Sequence, residues 1–308
     1  MNNTDKFNYY KKGFGDRTDG WRIRKVDPLF SVAPFILTRR TDSEVFFEIK
    51  IPIDEIEVFI RDHRDNIKGL SIMHIVIASL VRIISLRPYI NRFVVWNKIF
   101  ARDHISFSLA IKRSLSDNGE ETTIKIYFLP TDTLEDVVRK INLEIERNQP
   151  MGQENSTDFL SKIFGVLPDS LLRLVVWIAK RLDNIGLLPA FIFDASPFHA
   201  SMFMTNLGSI GIESIFHHLY EFGTCSMFGA MGRKSRTNTK GSDEITKNEK
   251  TMSLKFVLDE RICDGFYYAS SMRQLEKIMT NPACLLVPPE KVVVDDGVGK
   301  KRKDISPS

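Results

Sequence analysis

An octapeptide, Asp259 to Phe266 (DERICDGF), most constrains how this chain can fold. A run of strand-forming residues, Met252 to Leu258, comes directly before it. A run with helical character, Tyr267 to Met279, comes directly after it. The octapeptide is therefore predicted to be the turn that joins a strand to a helix.

The rest of the chain mixes strand and helix patterns. Phe46 to Ile53 alternates apolar and charged residues, which predicts a strand with one solvated face. Ser71 to Leu86 is nearly all apolar, which predicts a buried helix. Met202 to Asn206 and Ser226 to Met231 are predicted to be short strands. Hairpins outnumber regular alternation of strand and helix, so we predict an α/β (α+β) fold with a mixed, largely antiparallel sheet flanked by helices.

Composition indicates one large folded unit. The chain has 308 residues, of which 43% are hydrophobic and 27% charged, and no composition break marks a second domain. We predict an N-terminal arm over 1–25, a single catalytic-type domain over 26–289 and a disordered basic tail over 290–308. The net charge is +4, and Lys300 to Asp304 contribute four positive charges and one negative. The remaining charge is too small to predict a nucleic-acid partner.

Three features bound the cellular setting. The three cysteines have no CxxC spacing, which argues against a disulfide framework or a metal site and favours a reducing cytoplasm. The first residues are polar, so no secretory signal is expected. No stretch of 18 apolar residues occurs, so no transmembrane helix is expected.

Two motifs resemble those of a known superfamily. The spacing of Glu260, Asp264 and Gly265 resembles the His-x-x-x-Asp-Gly signature of the chloramphenicol acetyltransferase-like superfamily, with glutamate in the histidine position. This superfamily includes the dihydrolipoyl acyltransferase cores of 2-oxo acid dehydrogenase complexes. Phe203 to Gly211 (FMTNLGSIG) resembles their Thr-Ile-Ser-Asn-Leu-Gly stretch. The resemblance covers most of 26–285 and implies a two-layer sandwich.

The resemblance also implies an activity. The expected reaction is CoA-dependent transfer of an acyl group from a thioester to a thiol, hydroxyl or amine acceptor. Glu260 holds the position of the base, Thr205 would stabilise the oxyanion, and Asp264 would pair with an arginine. We favour Arg22 or Arg24 for that pairing. The site would lie between subunits of a homotrimer, or of a multiple of trimers. The same match assigns four structural residues at the site: Arg261, Gly265, Asn206 and Gly208.

The identity of the base is left open by the sequence. An unperturbed glutamate has a pKa of about 4.3 against about 6.5 for histidine, so it is the weaker base. Burial would make Glu260 a better base, whereas an ion pair with Arg261 would make it a worse one. His217 and His218 are a second candidate, because they lie between the Thr205 strand and the next strand.

Other segments of the acyltransferase complexes have no counterpart. No lipoyl-carrying or subunit-binding segment precedes the core, so we expect a free-standing core that uses coenzyme A or acyl-CoA as substrate. A small-molecule donor and acceptor are expected, without a covalent lipoyl group or a metal.

The region 149–198 is longer than its equivalent in these relatives. Its apolar helix, Leu171 to Leu182, carries Arg173, Lys180 and Arg181. Two alternatives to the enzyme therefore stay open. One is a catalytically inactive protein of the same fold that binds CoA or acyl groups or acts as a scaffold. The other is a peripheral membrane-associated protein that uses this helix.

Overall fold

The computed structural model describes residues 6–112, 121–148, 155–240 and 246–303. Its helices are α1 (Pro28–Ile36), α2 (Asp54–His63), α3 (Ile72–Leu86), α4 (Leu134–Asn148), α5 (Ser156–Val166), α6 (Asp169–Asn184), α7 (Ala190–Ala195) and α8 (Gly265–Thr280). Its strands are β1 (Gly20–Arg22), β2 (Glu44–Pro52), β3 (Arg92–Val95), β4 (Lys98–Arg102), β5 (Ile105–Lys112), β6 (Glu121–Phe128), β7 (Met202–Asn206), β8 (Met227–Lys240) and β9 (Thr246–Asp259).

A six-stranded sheet with the order β2-β9-β8-β7-β5-β6 organises the fold. Strand β7 runs parallel to both of its neighbours, β5 and β8. The other pairs are antiparallel. This confirms the predicted mixed, largely antiparallel sheet flanked by helices. Because β7 lies between β5 and β8, Thr205 near its end is held in the interior of the sheet and not on an edge strand.

One face of the sheet packs against helices α3, α4 and α8. Helix α3 is buried on nearly all sides, and Ile75, Leu80 and Ile83 have no exposed surface. On β9, Leu254 and Phe256 point into the same core and are also fully buried. Burial of such side chains stabilises the fold by roughly 1.5–3 kcal/mol each. The centre of this face is therefore closely packed.

The opposite face is covered only in part. Phe203 on β7, Phe228 on β8 and Val257 on β9 form a smaller cluster there. Residues 212–223, which form neither helix nor strand, lie across this cluster. The ring of Phe216 in this segment meets that of Phe46 edge-on at 5.4 Å. Thr205 projects from this second, more open face, because it lies two residues along β7 from Phe203.

The N-terminal arm is more ordered than predicted. Strands β1, β4 and β3 form a separate three-stranded sheet. Gly20 in β1 lies so close to β4 that an added Cβ would be 2.6 Å from the carbonyl oxygen of Ala101. Trp21 is buried, and its indole nitrogen donates to the carbonyl of Tyr10 at 3.1 Å. Residues 6–25 are thus part of the folded body.

The predicted disordered tail also differs from the structure. Residues 290–303 pack along the body, and Val298 has no exposed surface. Asp295 accepts two hydrogen bonds from the guanidinium of Arg92, at 2.7 and 2.8 Å. The prediction of disorder was wrong for 290–303 because the residues that hold this stretch, such as Arg92, lie about 200 residues earlier in the sequence. Residues 304–308 lie outside the described part of the chain.

The described part of the long region between α4 and β7 holds three helices, α5 to α7. The predicted helix over Leu171 to Leu182 is found inside α6. Much of its apolar surface is exposed, including Leu171, Leu174, Trp177 and Ile178. Within the described ranges, no helix is long and apolar enough to cross a membrane. Residues 149–154 of this region are not among those described.

The Arg92–Asp295 pair allows a first prediction. Both side chains are buried, so the variant Arg92→Ala leaves a carboxylate in the interior without its partner. We expect the free energy of unfolding to fall by about 3–5 kcal/mol, measured by urea denaturation. Arg139→Ala breaks the exposed pair with Asp136 and should cost less than about 1 kcal/mol. Equal effects of the two substitutions would contradict the docking of this segment.

Candidate active site

The octapeptide forms the predicted turn between β9 and α8. Asp264 is the N-cap of α8, and its carboxylate accepts a hydrogen bond from the backbone amide of Tyr267 at 2.7 Å. An added Cβ on Gly265 would meet nothing within 4 Å, so the chain's own packing does not require glycine there. Burial raises the pKa of the Cys263 thiol to about 12, so this side chain stays protonated at neutral pH.

Arg261 does not pair with Glu260. Its guanidinium instead makes two hydrogen bonds to Asp259, both 2.7 Å long, and a third of 2.8 Å to the carbonyl of Leu37. Arg261 and Asp259 are both buried. Nε of Arg40 lies 3.6 Å from the same carboxylate. The Asp259 carboxylate therefore lies between two arginines, which the sequence alone did not predict.

Glu260 is left exposed by this arrangement. Its backbone amide donates to the carbonyl of Ser43 at 2.9 Å, which fixes the start of the turn. Its carboxylate has no hydrogen bond or ion pair within the described residues. The side chain is therefore available to a ligand or to another chain.

A cavity of about 220 Å³ adjoins Glu260. Its walls come from α1 and the residue after it, from β2, from the end of β9, and from the turn and the start of α8: Leu29, Phe30, Ala33, Leu37, Val45, Leu258, Asp259, Glu260, Arg261, Cys263, Asp264, Gly265 and Tyr268. Helix α1 also exposes Val32, Phe35 and Ile36 to solvent. The cavity is thus mostly apolar, with the free carboxylate of Glu260 at its wall.

No arginine among the described residues pairs with Asp264, although such a partner was predicted. Asp264 is exposed and caps the helix. Arg24 instead forms an ion pair with Asp16 at 3.0 Å, and Arg22 is exposed. The ion pair of this turn is made by Asp259, five residues earlier. An exposed carboxylate needs no counter-charge, because water solvates it.

The end of β7 carries the second motif. Thr205 is partly buried, and the side-chain oxygen of Asn206 accepts a hydrogen bond from the amide of Ser209 at 3.3 Å. An added Cβ on Gly208 would lie 2.5 Å from the carbonyl oxygen of Gly232. Glycine is therefore required at this position by the close approach of β8.

Glu260 and Thr205 are not brought together within one chain. Thr205 pairs with Ala230 on β8, and Ala230 pairs with Lys255 on β9. Glu260 lies five residues beyond Lys255, which corresponds to about 17 Å along an extended strand. A site that uses both side chains therefore needs a second copy of the chain.

His217 lies on the same face of the sheet as Thr205. Its ring stacks on that of Phe228, with 4.4 Å between centroids. Phe228 pairs with Phe203, two residues before Thr205. No hydrogen bond joins His217 to Thr205 in the described structure. The two side chains nevertheless share one surface.

The state of His217 suits a proton acceptor. Burial, together with the charge of His218, lowers the pKa of the His217 ring, so it is neutral at pH 7. Its Nε2 atom is enclosed and has no hydrogen-bond partner among the described residues. His218 is exposed and meets Tyr220 edge-on at 5.2 Å. Of the two histidines, His217 therefore has the nitrogen that a ligand or a rotation of the ring could engage.

Comparisons with solved structures identify the fold. A probable dihydrolipoamide acetyltransferase from Listeria monocytogenes 4b F2365 is similar at a TM-score of 0.53 and 12% identity, covering 84% of this chain and 95% of that one. A dihydrolipoamide acetyltransferase from Azotobacter vinelandii is similar at a TM-score of 0.51 and 12% identity, covering 86% of this chain and 94% of that one. A truncated catalytic core of the 2-oxoacid dehydrogenase multienzyme complex from Thermoplasma acidophilum is similar at a TM-score of 0.52 and 12% identity, covering 84% of this chain and 98% of that one.

No protein-family model and no curated protein sequence matches the chain. At 12% identity the structural similarity shows the fold alone. The chain therefore has the chloramphenicol acetyltransferase-like fold that the two sequence motifs predicted. The roles of individual residues rest on the geometry described above.

The contacts of Asp264 give a second prediction. Asp264 is an exposed helix cap, so Asp264→Ala should lower the free energy of unfolding by about 1 kcal/mol. Serine also caps helices, so Asp264→Ser should lose much less. Both are measured by urea denaturation. A loss of about 3–5 kcal/mol, unrelieved by serine, would instead indicate a buried ion pair.

Proposed function

We propose that this chain is a CoA-dependent acyltransferase whose active site forms between two copies. Glu260 of one copy acts as the general base, and Thr205 of the next copy holds the oxyanion. The proposal rests on one observation: the Glu260 carboxylate lines an apolar cavity without a partner, while Arg261 is bound to Asp259. An unpaired carboxylate beside an apolar cavity is suited to accept a proton.

The chemistry requires few groups. The acceptor, a thiol, alcohol or amine, loses its proton to Glu260 as it attacks the carbonyl carbon of the acyl-CoA thioester. The hydroxyl of Thr205 donates to the oxygen that becomes negative. The carbon–sulfur bond then breaks, and the proton held by Glu260 passes to the CoA thiolate. The acyl group ends on the acceptor, and the charge balances without a metal.

Assembly from several copies is part of the proposal. The separation of about 17 Å along the strand between the level of Thr205 and Glu260 prevents one chain from closing the site. Helix α1, beside Glu260, exposes Leu29, Phe35 and Ile36, which a neighbouring copy would cover. One structural neighbour is the cubic core of a pyruvate dehydrogenase multienzyme complex, with a TM-score of 0.50. We propose a homotrimer, or a multiple of trimers, for this chain.

A second candidate function is favoured by the glutamate itself. Carboxylates are weaker bases than imidazoles, so a glutamate in the position of the histidine favours a protein that binds CoA or an acyl group without transferring it. His217 offers a third outcome, because its neutral ring shares a surface with Thr205. The experiments below separate these possibilities.

The identity of the base is tested by substitution. If Glu260 is the base, Glu260→Ala and Glu260→Gln should lower the turnover of acyl-CoA by at least about tenfold. Glu276→Ala, an exposed glutamate of α8, is the matched control and should retain full turnover. Release of free CoA thiol over a panel of acyl-CoA donors and acceptors is the measurement.

Other results of this experiment have defined meanings. Full turnover in Glu260→Ala, together with a loss in His217→Ala, would assign the base to His217. No turnover by the wild-type chain over the whole panel would remove the transferase proposal. CoA binding, measured by calorimetry, would then decide for the binding protein.

The two-copy site makes a prediction about mixtures. Glu260→Ala and Thr205→Ala chains carrying different tags are co-expressed, and mixed trimers are purified on both tags. Every such trimer contains one interface with an intact Glu260 and an intact Thr205, so about one third of the wild-type turnover should return. Each variant alone is the control. No recovery in particles of trimer mass, three chains of 35.4 kDa each, would contradict a shared site.

A further inference from the structure

A serine, a histidine and an aspartate meet in the long region between β6 and β7. Ser196 follows the last turn of α7, and its Oγ lies 2.8 Å from Nδ1 of His199. Nε2 of His199 lies 3.3 Å from Oδ2 of Asp183 in the last turn of α6, which is an ion-pair distance without hydrogen-bond geometry, and it has no hydrogen-bond partner among the described residues. All three residues are buried. Nothing in the proposed acyltransferase site uses them.

Asp183 is held firmly in place. Nη2 of Arg17 donates to its other oxygen, Oδ1, at 2.7 Å, and Nη1 of Arg17 donates to its backbone carbonyl. Burial alone would raise the pKa of Asp183, but His199 and Arg17 outweigh it and hold this pKa at about 2. The carboxylate is therefore ionised and points a fixed negative charge at the imidazole.

The histidine is set up as a proton acceptor. Burial, aided by the charge of Lys125, lowers the pKa of the His199 ring and outweighs the opposing effect of Asp183. The ring is thus neutral at pH 7, and the nearby carboxylate of Asp183 favours the tautomer that carries the single proton on Nε2. Nδ1 is then free to accept the hydroxyl proton of Ser196. Serine and carboxylate occupy the reverse ring nitrogens from those in serine proteases, but each keeps its role.

Ser196 also lines a cavity. This cavity measures about 490 Å³, within the usual range for a small-molecule site. Its walls are mainly apolar and aromatic: Thr123, Thr157, Phe164, Val175, Val176, Ala179, Lys180, Ile192, Ala195, Ser196, Pro197, Phe198 and Phe222. A nucleophile with its base therefore borders an apolar space, which is the environment that an ester of an apolar carboxylic acid needs. None of these residues lines the Glu260 cavity.

We propose that Ser196, His199 and Asp183 form a second catalytic site that hydrolyses carboxylic esters with an apolar acyl group. The Ser196 oxygen attacks the ester carbonyl while its proton moves to Nδ1 of His199. The carbon–oxygen bond to the alcohol breaks, the alcohol leaves with that proton, and the acyl group stays on Ser196 as an ester. Water repeats the sequence, releases the carboxylic acid and restores the serine hydroxyl.

Covalent labelling of the intact chain tests this proposal directly. A fluorophosphonate probe phosphonylates a serine whose neighbouring base removes its proton. We expect the wild-type protein to gain one probe adduct by intact mass, and peptide mapping to place that adduct on Ser196. Glu260→Ala should be labelled as fully as the wild type, which separates this site from the proposed transferase. An unlabelled Ser196 in the folded wild-type chain would overturn the proposal.

Ester hydrolysis supplies the second readout. With p-nitrophenyl acetate, butyrate and octanoate as substrates, Ser196→Ala and His199→Gln should each lose at least about 100-fold in kcat/KM. Ser170→Ala, an exposed serine on the same helix as Asp183, is the matched control and should retain full activity. Full hydrolysis by Ser196→Ala would overturn the proposal. If a variant fails to fold, the labelling of the wild-type chain still decides.

Discussion

The proposed transferase site depends on the carboxylate of Asp259. It is fully buried, it binds Arg261 through two hydrogen bonds, and it lies near Nε of Arg40. Arg261 also binds the carbonyl of Leu37, just after α1, so one ionic cluster ties β9, the turn and the wall of the cavity together. Because a buried charge needs a partner, Arg261 pairs with Asp259 and does not pair with the adjacent Glu260. Glu260 is unpaired because Arg261, the residue next to it, binds Asp259 instead.

Local signals predicted the central part of the fold well. The turn at 259–266 was predictable because a strand pattern and a helix pattern lie directly on either side of it. Helix α3 was predictable from its apolar composition, and the mixed sheet from the abundance of hairpins. These features depend on neighbouring residues, which a sequence displays openly. The two motifs predicted a resemblance to a superfamily, and the structural similarity confirms the predicted fold.

Partner choice among charges was not predictable. Asp259 and Asp264 both flank Arg261, and only the structure shows that Asp259 is buried and Asp264 exposed. The contact of Ser196, His199 and Asp183 was missed for a similar reason. Asp183 precedes α7 in the sequence and His199 follows it. Only the packing of α6 against the residues after α7 brings the two side chains together. The separation of Thr205 from Glu260 likewise depends on strand register, which the sequence does not state.

The docking of Asp295 on Arg92 has a consequence for synthesis on the ribosome. The sheet of β1, β4 and β3 is encoded early, yet one of its buried arginines gains its counter-ion only from a segment about 200 residues later. During translation Arg92 therefore has no counter-ion until the segment with Asp295 has left the ribosome. Contacts of such long sequence separation form slowly. The ion pair that allows Arg92 to be buried can therefore form only after nearly the whole chain has been synthesised.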